Sequence, residues 1–326
     1  MRRREFVGLC GAAAAAWPFA ARAQGSAQPY PARLIKLLHG FPPGGNVDVV
    51  ARLVAQEMSK GLGQTIIVEA KVGQAGSLAA ETVSAAEPDG YTLLVVAGLH
   101  PAVAAVYRKL KYDPLDGLAW ISMVSFYPFI LCARTDAPVK TFADLIARAR
   151  QKPGGVSSGT AGNGSISHMT TELIARGADV RFLNVPYRGE APAMQGLLGG
   201  DVDFVISTST LAAAQMASGQ VRALAVTSKA RWNGFSDIPT IAESGLPDFE
   251  VMSWSGFAAP PRTPQAIINR LHAEIERAIA VPDVRTRLES FGAEVRSTTP
   301  AEMRDLVARQ IALWTKIADE ANIRLD

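Results

Sequence analysis

Cysteine and histidine are scarce in this chain of 326 residues, which contains two cysteines and four histidines. Cys10 lies in an N-terminal apolar stretch, so Cys132 is the only cysteine in the rest of the chain, and no internal disulfide is expected there. The histidines are too scattered to indicate a zinc site; they are His39, His100, His168 and His272. Stability is therefore expected to come from apolar cores.

Beyond residues 1–23, runs of lysine and arginine are also absent, although the formal net charge of the whole chain is +3 and the pI is about 8.9. Residues 1–23 contain four arginines and one glutamate and account for all of that charge, which leaves the rest of the chain neutral. A neutral chain without a basic run does not favour a nucleic-acid partner.

Residues 1–23 have the pattern of an export signal peptide. Arg2, Arg3 and Arg4 precede an apolar run from Phe6 to Ala21, and small residues at Ala21 and Ala23 fit a cleavage position. The apolar run is shorter than the roughly 20 residues that span a bilayer, so a membrane anchor is the less favoured interpretation. The mature protein is expected to begin near Gln24, in the periplasm. The pattern leaves open whether export uses the general secretory or the twin-arginine route.

The remaining residues, about 300 in number, exceed what a single core usually supports, which favours two domains. Short apolar runs such as Thr92 to Ala97 and Phe204 to Ser207 alternate with helix-period stretches such as Val47 to Lys60 and Glu190 to Leu198. This alternation predicts an α/β fold whose mostly parallel sheets are flanked by helices.

A first glycine-rich turn follows an apolar strand-like run and opens a predicted helix. Its sequence is Phe41-Pro42-Pro43-Gly44-Gly45-Asn46-Val47-Asp48. The start of a helix has unpaired backbone N–H groups and about half a positive charge, which suits a small anion. The turn matches neither the phosphate-binding loop nor the dinucleotide fingerprint, so no nucleotide cofactor is predicted. A tight turn without a ligand is the alternative. Asp48 could offset the helix dipole, fix the loop or meet a ligand amine.

A second such turn reads Gly159-Thr160-Ala161-Gly162-Asn163-Gly164-Ser165. Ser165 could cap the following helix or donate to a ligand oxygen, and His168 could orient the loop. A third strand-to-helix junction, Val185-Pro186-Tyr187-Arg188-Gly189, contains an aromatic residue and an arginine. Tyr187 could donate its hydroxyl to a ligand and Arg188 could pair with a carboxylate, or both could be surface residues. Two anion-binding turns more than a hundred residues apart suggest two lobes that hold one ligand.

Short sequence segments along nearly all of the mature chain carry a family resemblance when they are taken in order. They are Gly40 to Asp48, Pro88 to Leu94, Tyr112 to Pro114, Gly159 to His168, Val185 to Gly189, Leu197 to Asp203, Leu224 to Thr227, Pro239 to Gly245, and Trp254 to Pro260. The ordered set resembles the periplasmic solute receptors of tripartite tricarboxylate transporters, often called Bug receptors. In place of the Asn-Arg-Pro-Gly-Ala-Gly-Gly stretch of many members, this chain has Ala70 to Gly76, which leaves the role of that loop open.

The resemblance implies a two-lobed, type II venus-flytrap binding protein, with one lobe formed by residues 24–127 and 253–326 and the other by residues 128–252. It implies a small carboxylate ligand (a di- or tricarboxylate, an amino acid or an aromatic acid), membrane permease subunits as partners, and a monomer without a cofactor or metal. The implied ligand-binding residues are Phe41, Pro42, Pro43, Gly44, Gly45, Asp48, Thr160, Ala161, Gly162, Asn163, Gly164, Ser165, His168, Tyr187 and Gly189, with Thr208 after a further strand.

Two other functions stay open at the level of sequence. An exported hydrolase would need an activated serine, and Ser165 with His168 is the candidate pair, but the chain has no Gly-X-Ser-X-Gly elbow. An orphan receptor that passes its closed state to a signalling partner would use the same fold. Neither the ligand nor the choice between transport and signalling follows from the residues.

Overall fold

The computed structural model describes residues 30–107, 109–290 and 292–325, and the predicted export signal at residues 1–23 lies outside them. The strands are β1 Ile35–His39, β2 Ile66–Ala70, β3 Thr92–Ala97, β4 Ala119–Arg134, β5 Ser157–Thr160, β6 Leu183–Pro186, β7 Phe204–Thr208, β8 Val221–Val226, β9 Met252–Ala259 and β10 Glu294–Val295. The α-helices are α1 Asn46–Leu62, α2 Ser77–Ser84, α3 His100–Val106, α4 Phe142–Gln151, α5 Ile166–Gly177, α6 Glu190–Gly199, α7 Ser209–Ala217, α8 Gln265–Ala280, α9 Pro282–Glu289 and α10 Pro300–Glu320. All of them belong to one unit that begins at Arg33.

The first sheet combines a parallel trio with strands that run in the opposite direction. Strand β1 lies between β2 and β3 and is parallel to both. Strand β9 is antiparallel to β3, β4 is antiparallel to β9, and β10 pairs with the other edge of β4. Strands β1, β2, β3 and β4 therefore share one direction in this sheet.

The second sheet repeats this arrangement. Strand β5 lies between β6 and β7 and is parallel to both, β4 is antiparallel to β7, and β8 pairs antiparallel with the other edge of β4. Here β4 is the single reversed strand. The predicted α/β fold is confirmed. Both sheets are mixed, because β9 is antiparallel to the parallel trio of the first sheet and β4 is antiparallel to the parallel trio of the second.

Strand β4 is long because it serves both sheets. Its first part pairs with β9 as far as Pro128, which lies opposite Met252, and from Phe129, opposite Thr208, it pairs with β7 and then β8. All of its residues except the two terminal ones are buried. A nearly continuous apolar run fits such a strand because helices cover both of its faces.

Helix α10 links the cores of the two sheets. Its residues Met303 and Val307 pack in the first core with Trp254 and other apolar residues of the first sheet. Trp314 and Ile317, about three turns further along, pack in a second core that includes Val106 of α3 and the inner face of α5. A third core lies between the second sheet and helices α6 and α7. No described helix is long and apolar enough to span a bilayer.

Candidate functional site

The first glycine-rich turn lies at the carboxyl end of β1 and leads into α1, where ligands bind in open α/β sheets. Gly44 has a φ of 80° and Gly45 caps α1 without a side-chain hydrogen bond. A Cβ atom at Gly44 would meet nothing within 4 Å, so the backbone there is open. Among the described residues, the N–H groups of Asn46 and Val47 have no hydrogen-bond partner. These amides are available to an anion.

Asp48 organises this turn through contacts inside the protein. Its buried carboxylate accepts hydrogen bonds from the backbone N–H of Gly44 at 2.9 Å and from Nε of Arg52 at 3.0 Å, and it lies 3.0 Å from Nε2 of His39. The hydrogen bond from Arg52 lowers the pKa of Asp48 to about 2, with help from Gly44 and against the effect of burial. Asp48 is therefore ionised and neutralised by Arg52, which favours its role as a residue that fixes the loop.

Phe41 lies at the other end of this turn, over the 3-10 helix Gln74–Gly76. A Cβ atom at Gly40 would be 2.3 Å from Cα of Gly76, so the two backbones touch. The ring of Phe41 packs on Gly76 and lines a small cavity of about 10 Å³, with His100 and Val103 of α3 in its wall. Pro42 and Pro43 are exposed beside it.

The second turn, between β5 and α5, is held by the side chains of its own helix. The N–H of Ala161 donates to Oγ of Ser167 at 3.0 Å, and the N–H of Gly164 donates to Nδ1 of His168 at 3.1 Å. Oγ of Ser165 caps the helix by accepting the N–H of His168 at 3.3 Å. Burial lowers the pKa of His168, so its ring is neutral at pH 7 and accepts at Nδ1.

The third turn is tied to the second. The N–H of Tyr187 donates to the carbonyl of Thr160 at 2.9 Å. Asn184 accepts from the hydroxyl of Thr160 at 2.7 Å and donates to the side chain of Asn163 at 3.0 Å. Glu190 accepts the backbone N–H of Thr208 and thereby joins the end of β7 to the same group. The structure thus brings Thr160, Asn163, Tyr187 and Thr208 together at one edge of the second sheet.

Helix α6, like α1, begins with backbone N–H groups that have no hydrogen-bond partner among the described residues. Gly189 precedes it with a φ of 122° and without a side-chain cap. The N–H groups of Arg188, Gly189 and Ala191 have no partner among the described residues, and the Arg188 side chain is exposed and forms no ion pair there. The hydroxyl of Tyr187 lies against helix α6, because a Cβ atom at Gly196 of that helix would be 2.1 Å from the hydroxyl oxygen. Tyr187 therefore packs on α6 instead of standing free in the turn.

The first turn and the second turn contact opposite ends of helix α3. Phe41 shares its small cavity with His100 and Val103, whereas a Cβ atom at Gly164 would lie 3.1 Å from the side chain of Val106. Both turns therefore lie near the same helix. No hydrogen bond joins residues 41–48 to residues 160–168, all of which are described. A cavity of about 920 Å³ elsewhere is lined by none of the predicted ligand-binding residues.

The pair that a hydrolase would need is not arranged for catalysis. Oγ of Ser165 is 3.0 Å from Oγ of Ser167, and the ring atom Nδ1 of His168 is already engaged by the N–H of Gly164. No hydrogen bond between the Ser165 hydroxyl and the His168 ring exists in the described part of the chain, whereas a nucleophile and its base are expected within hydrogen-bond reach. The described residues also contain no group of three or more potential metal ligands.

Sequence reasoning missed several residues that position these turns, namely His39, Ser167, Asn184 and Glu190. Arg52 had a usable signal, because a carboxylate and an arginine four residues apart on one helix face are expected to pair. Ser167 and Glu190 had a weaker one, since polar residues in the first turn of a helix often satisfy nearby amides. Asn184 had none, because its partners lie more than twenty residues away.

Two sheets that share a strand, with uncapped helix starts at the carboxyl ends of their parallel trios, define a two-lobed α/β solute-binding protein. The sequence matches the tripartite tricarboxylate transporter family receptor over residues 50–323, and the chain belongs to that family. The expected family resemblance is thereby confirmed.

Solved structures agree with this assignment. The periplasmic binding protein BugD is 33% identical, covers 90% of this chain and 99% of its own, and superposes with a TM-score of 0.76. MatC from Rhodopseudomonas palustris with bound malate is 35% identical over 88% of this chain and 99% of its own, with a TM-score of 0.75. R. palustris Rpa4515 with adipate is 34% identical over 90% of this chain and 99% of its own, with a TM-score of 0.79.

Proposed function

We propose that this protein is a periplasmic receptor that captures a small dicarboxylate between its two lobes and delivers it to the membrane subunits of a tripartite tricarboxylate transporter. The uncapped amides at the starts of α1 and α6 carry the proposal. They are donors without a partner among the described residues, at helix N-termini where the dipole favours negative charge. Relatives of similar sequence hold malate and adipate, which are dicarboxylates.

The charges around the turns are compatible with an anionic ligand. Asp48 is the acid closest to the first turn, and its ion pair with Arg52 at 2.9 Å cancels the repulsion that a free carboxylate would exert. His168 is neutral and therefore adds no full charge to the second turn, where it and Ser167 accept the amides of Gly164 and Ala161. Arg188 is an exposed cation next to the third turn and is positioned for a second carboxylate. Selectivity then depends on shape and backbone donors more than on charged side chains.

The strand exchange supplies the hinge in this proposal. Strand β4 leaves the first sheet at Pro128, and the N–H of Val251 still bonds to Thr227 of the second sheet just before β9 begins in the first. We place the lobe boundaries at these two crossings, which gives residues 24–127 with 253–326 and residues 128–252. A ligand that contacts both lobes favours the closed form by its preferential affinity for it.

The direct test is calorimetric titration of the mature protein with malate, adipate and a monocarboxylate such as propionate. We expect saturable binding of a dicarboxylate, with weaker binding of propionate because it leaves one group of amides unoccupied. Mass spectrometry of ligand retained on purification widens the range of acids tested. A folded sample that carries no acid and binds none of these compounds would contradict the proposal.

A further inference from the structure

A second cavity, of about 920 Å³, lies away from the glycine-rich turns. Its walls come from residues 228–234 after β8, residues 250–254 leading into β9, the segment around β10, and residues 306–314 of α10. A cavity of this volume is within the range of small-molecule sites. It is also bounded by both crossing strands, since Phe126 of β4 and Trp254 of β9 line it.

Four aromatic residues stand in its wall, and of these Trp232 keeps accessible surface, whereas Phe126, Trp254 and Trp314 are buried. Trp232, Trp254 and Trp314 all line the cavity and are three of the chain's five tryptophans. The indole N–H of Trp232 donates to the carbonyl of Gly292 at 3.0 Å, and that of Trp254 donates to Gln310 at 2.8 Å. Trp314 is 2% exposed, and its indole N–H has no partner within the described ranges. A buried donor without an acceptor is costly, and a bound acceptor would relieve that cost.

The charges that line the cavity leave an excess of positive charge. The cationic residues are Lys229, Arg231, Arg285, Arg296 and Arg309, and the acidic ones are Glu250, Glu289 and Glu294. Three of the cations are paired: Arg231 with Glu243, Arg285 with Glu289, and Arg296 with Glu294. Lys229 and Arg309 have no ion-pair partner in the part of the chain that the structure describes. Among the acids that line the cavity, Glu250 also lacks a partner there, whereas Glu289 and Glu294 are paired.

We propose that this cavity is a second binding site, for an aromatic monocarboxylate. The partly exposed indole of Trp232 provides a stacking surface for an aromatic ring, beside the apolar side chains of Met252 and Leu306. Lys229 and Arg309 provide the charge for one carboxylate, and the N–H of Trp314 provides a buried donor for an acceptor on the same ligand. A second carboxylate would meet Glu250 and the paired acids, which favours a single negative charge.

The probe is 2-naphthoate, titrated into the mature protein by calorimetry and followed in parallel by tryptophan emission, since three tryptophans lie in the cavity wall. The double variant Lys229→Gln/Arg309→Gln is expected to bind about tenfold more weakly, because two ionic contacts are lost and each is weakened by the solvent exposure of its side chain. Its control is Lys152→Gln/Lys316→Gln, which removes the same net charge at exposed lysines outside the cavity. Equal affinity of the two double variants would overturn the proposal.

A second variant addresses the unpaired donor. Trp314→Phe removes an N–H group that has no protein partner among the described residues, so the variant loses no internal hydrogen bond. Naphthoate affinity is expected to fall severalfold while the wavelength of residual emission still shifts on binding. Unchanged affinity would show that the indole N–H of Trp314 does not contact the ligand.

Competition separates this site from the dicarboxylate site. Saturating malate or adipate, and the substitution Asn46→Pro in the first turn, are expected to leave naphthoate affinity unchanged. If either abolishes naphthoate binding, the compound occupies the cleft of the glycine-rich turns and the second site is refuted. Absence of naphthoate binding at millimolar concentration refutes the second site as well. The proposed dicarboxylate function is tested separately, by the titration with malate and adipate.

Discussion

The backbone N–H of Asn46 offers a sharp test of anion binding by amides. Asn46 is the first residue of α1, and its N–H has no partner among the described residues. Proline at this position removes the N–H while fixing a φ that the helix already uses. The preceding residue, Gly45, has φ −74° and ψ 170°, which is the extended conformation that a following proline requires. The chain itself has proline as the first residue of α9 and of α10.

The expected effect of Asn46→Pro is a loss of affinity without a loss of stability. A hydrogen bond to a charged group contributes about 1.5 to 3 kcal/mol, so the dissociation constant for malate or adipate should rise at least about tenfold. The free energy of unfolding should be unchanged or higher by up to about 1 kcal/mol, because proline restricts the unfolded chain. Asn46→Ala is the control, since it removes the same side chain but keeps the N–H. Calorimetry and thermal melts measure both quantities, and equal affinity of the two variants would refute the amide mechanism.

Three further predictions concern the scaffold of the site. Asp48→Asn should lower the free energy of unfolding at pH 7 by about 2 kcal/mol, because the native pKa of about 2 lies below the ordinary value of 3.8. In the wild-type protein this stabilisation is present above pH 4 and is lost as the pH falls through 2, so denaturant titrations over that range should show the slope in the wild type and a flatter profile in the variant. Gly196→Ala should destabilise the protein by about 1 to 3 kcal/mol because its Cβ would overlap Tyr187, whereas Gly199→Ala in the same helix, with its nearest contact at 3.7 Å, should be neutral or stabilising in thermal melts. Small-angle scattering should show a smaller radius of gyration when a dicarboxylate saturates the protein, and an unchanged profile would contradict hinge closure.

Local patterns in the sequence were sufficient for the elements that carry the turns. Apolar runs and glycines predicted the strand-to-helix junctions after β1, β5 and β6, because those signals depend on neighbouring residues. The reversed strands were not predicted. Strand β4 is one unbroken buried run whose own residues do not mark Phe129 as the point where its partners change; the expected lobe boundary at residue 128 came from the family resemblance and not from local pattern.

Contacts between distant residues account for most of what the sequence did not reveal about the site. His39 and Asp48 meet because a strand end and a helix start lie side by side, which periodicity does not encode. The packing of Tyr187 on Gly196 depends on the path of a turn whose glycine adopts a φ of 122°. The second cavity combines Trp232 with Trp314, which are far apart in sequence and meet only in the fold.

The ion pair between Asp48 and Arg52 resolves the apparent conflict of a carboxylate inside the turn that we propose binds an anion. Asp48 is required to hold the N–H of Gly44 and thus to shape the loop, but an uncompensated negative charge would oppose the ligand. Arg52 lies one helical turn further along, on the same face, and neutralises that charge from the side of the helix while its own side chain stays about half exposed. The amides of Asn46 and Val47 then remain without a partner among the described residues, and under the proposed function their partial positive charge attracts the anionic ligand.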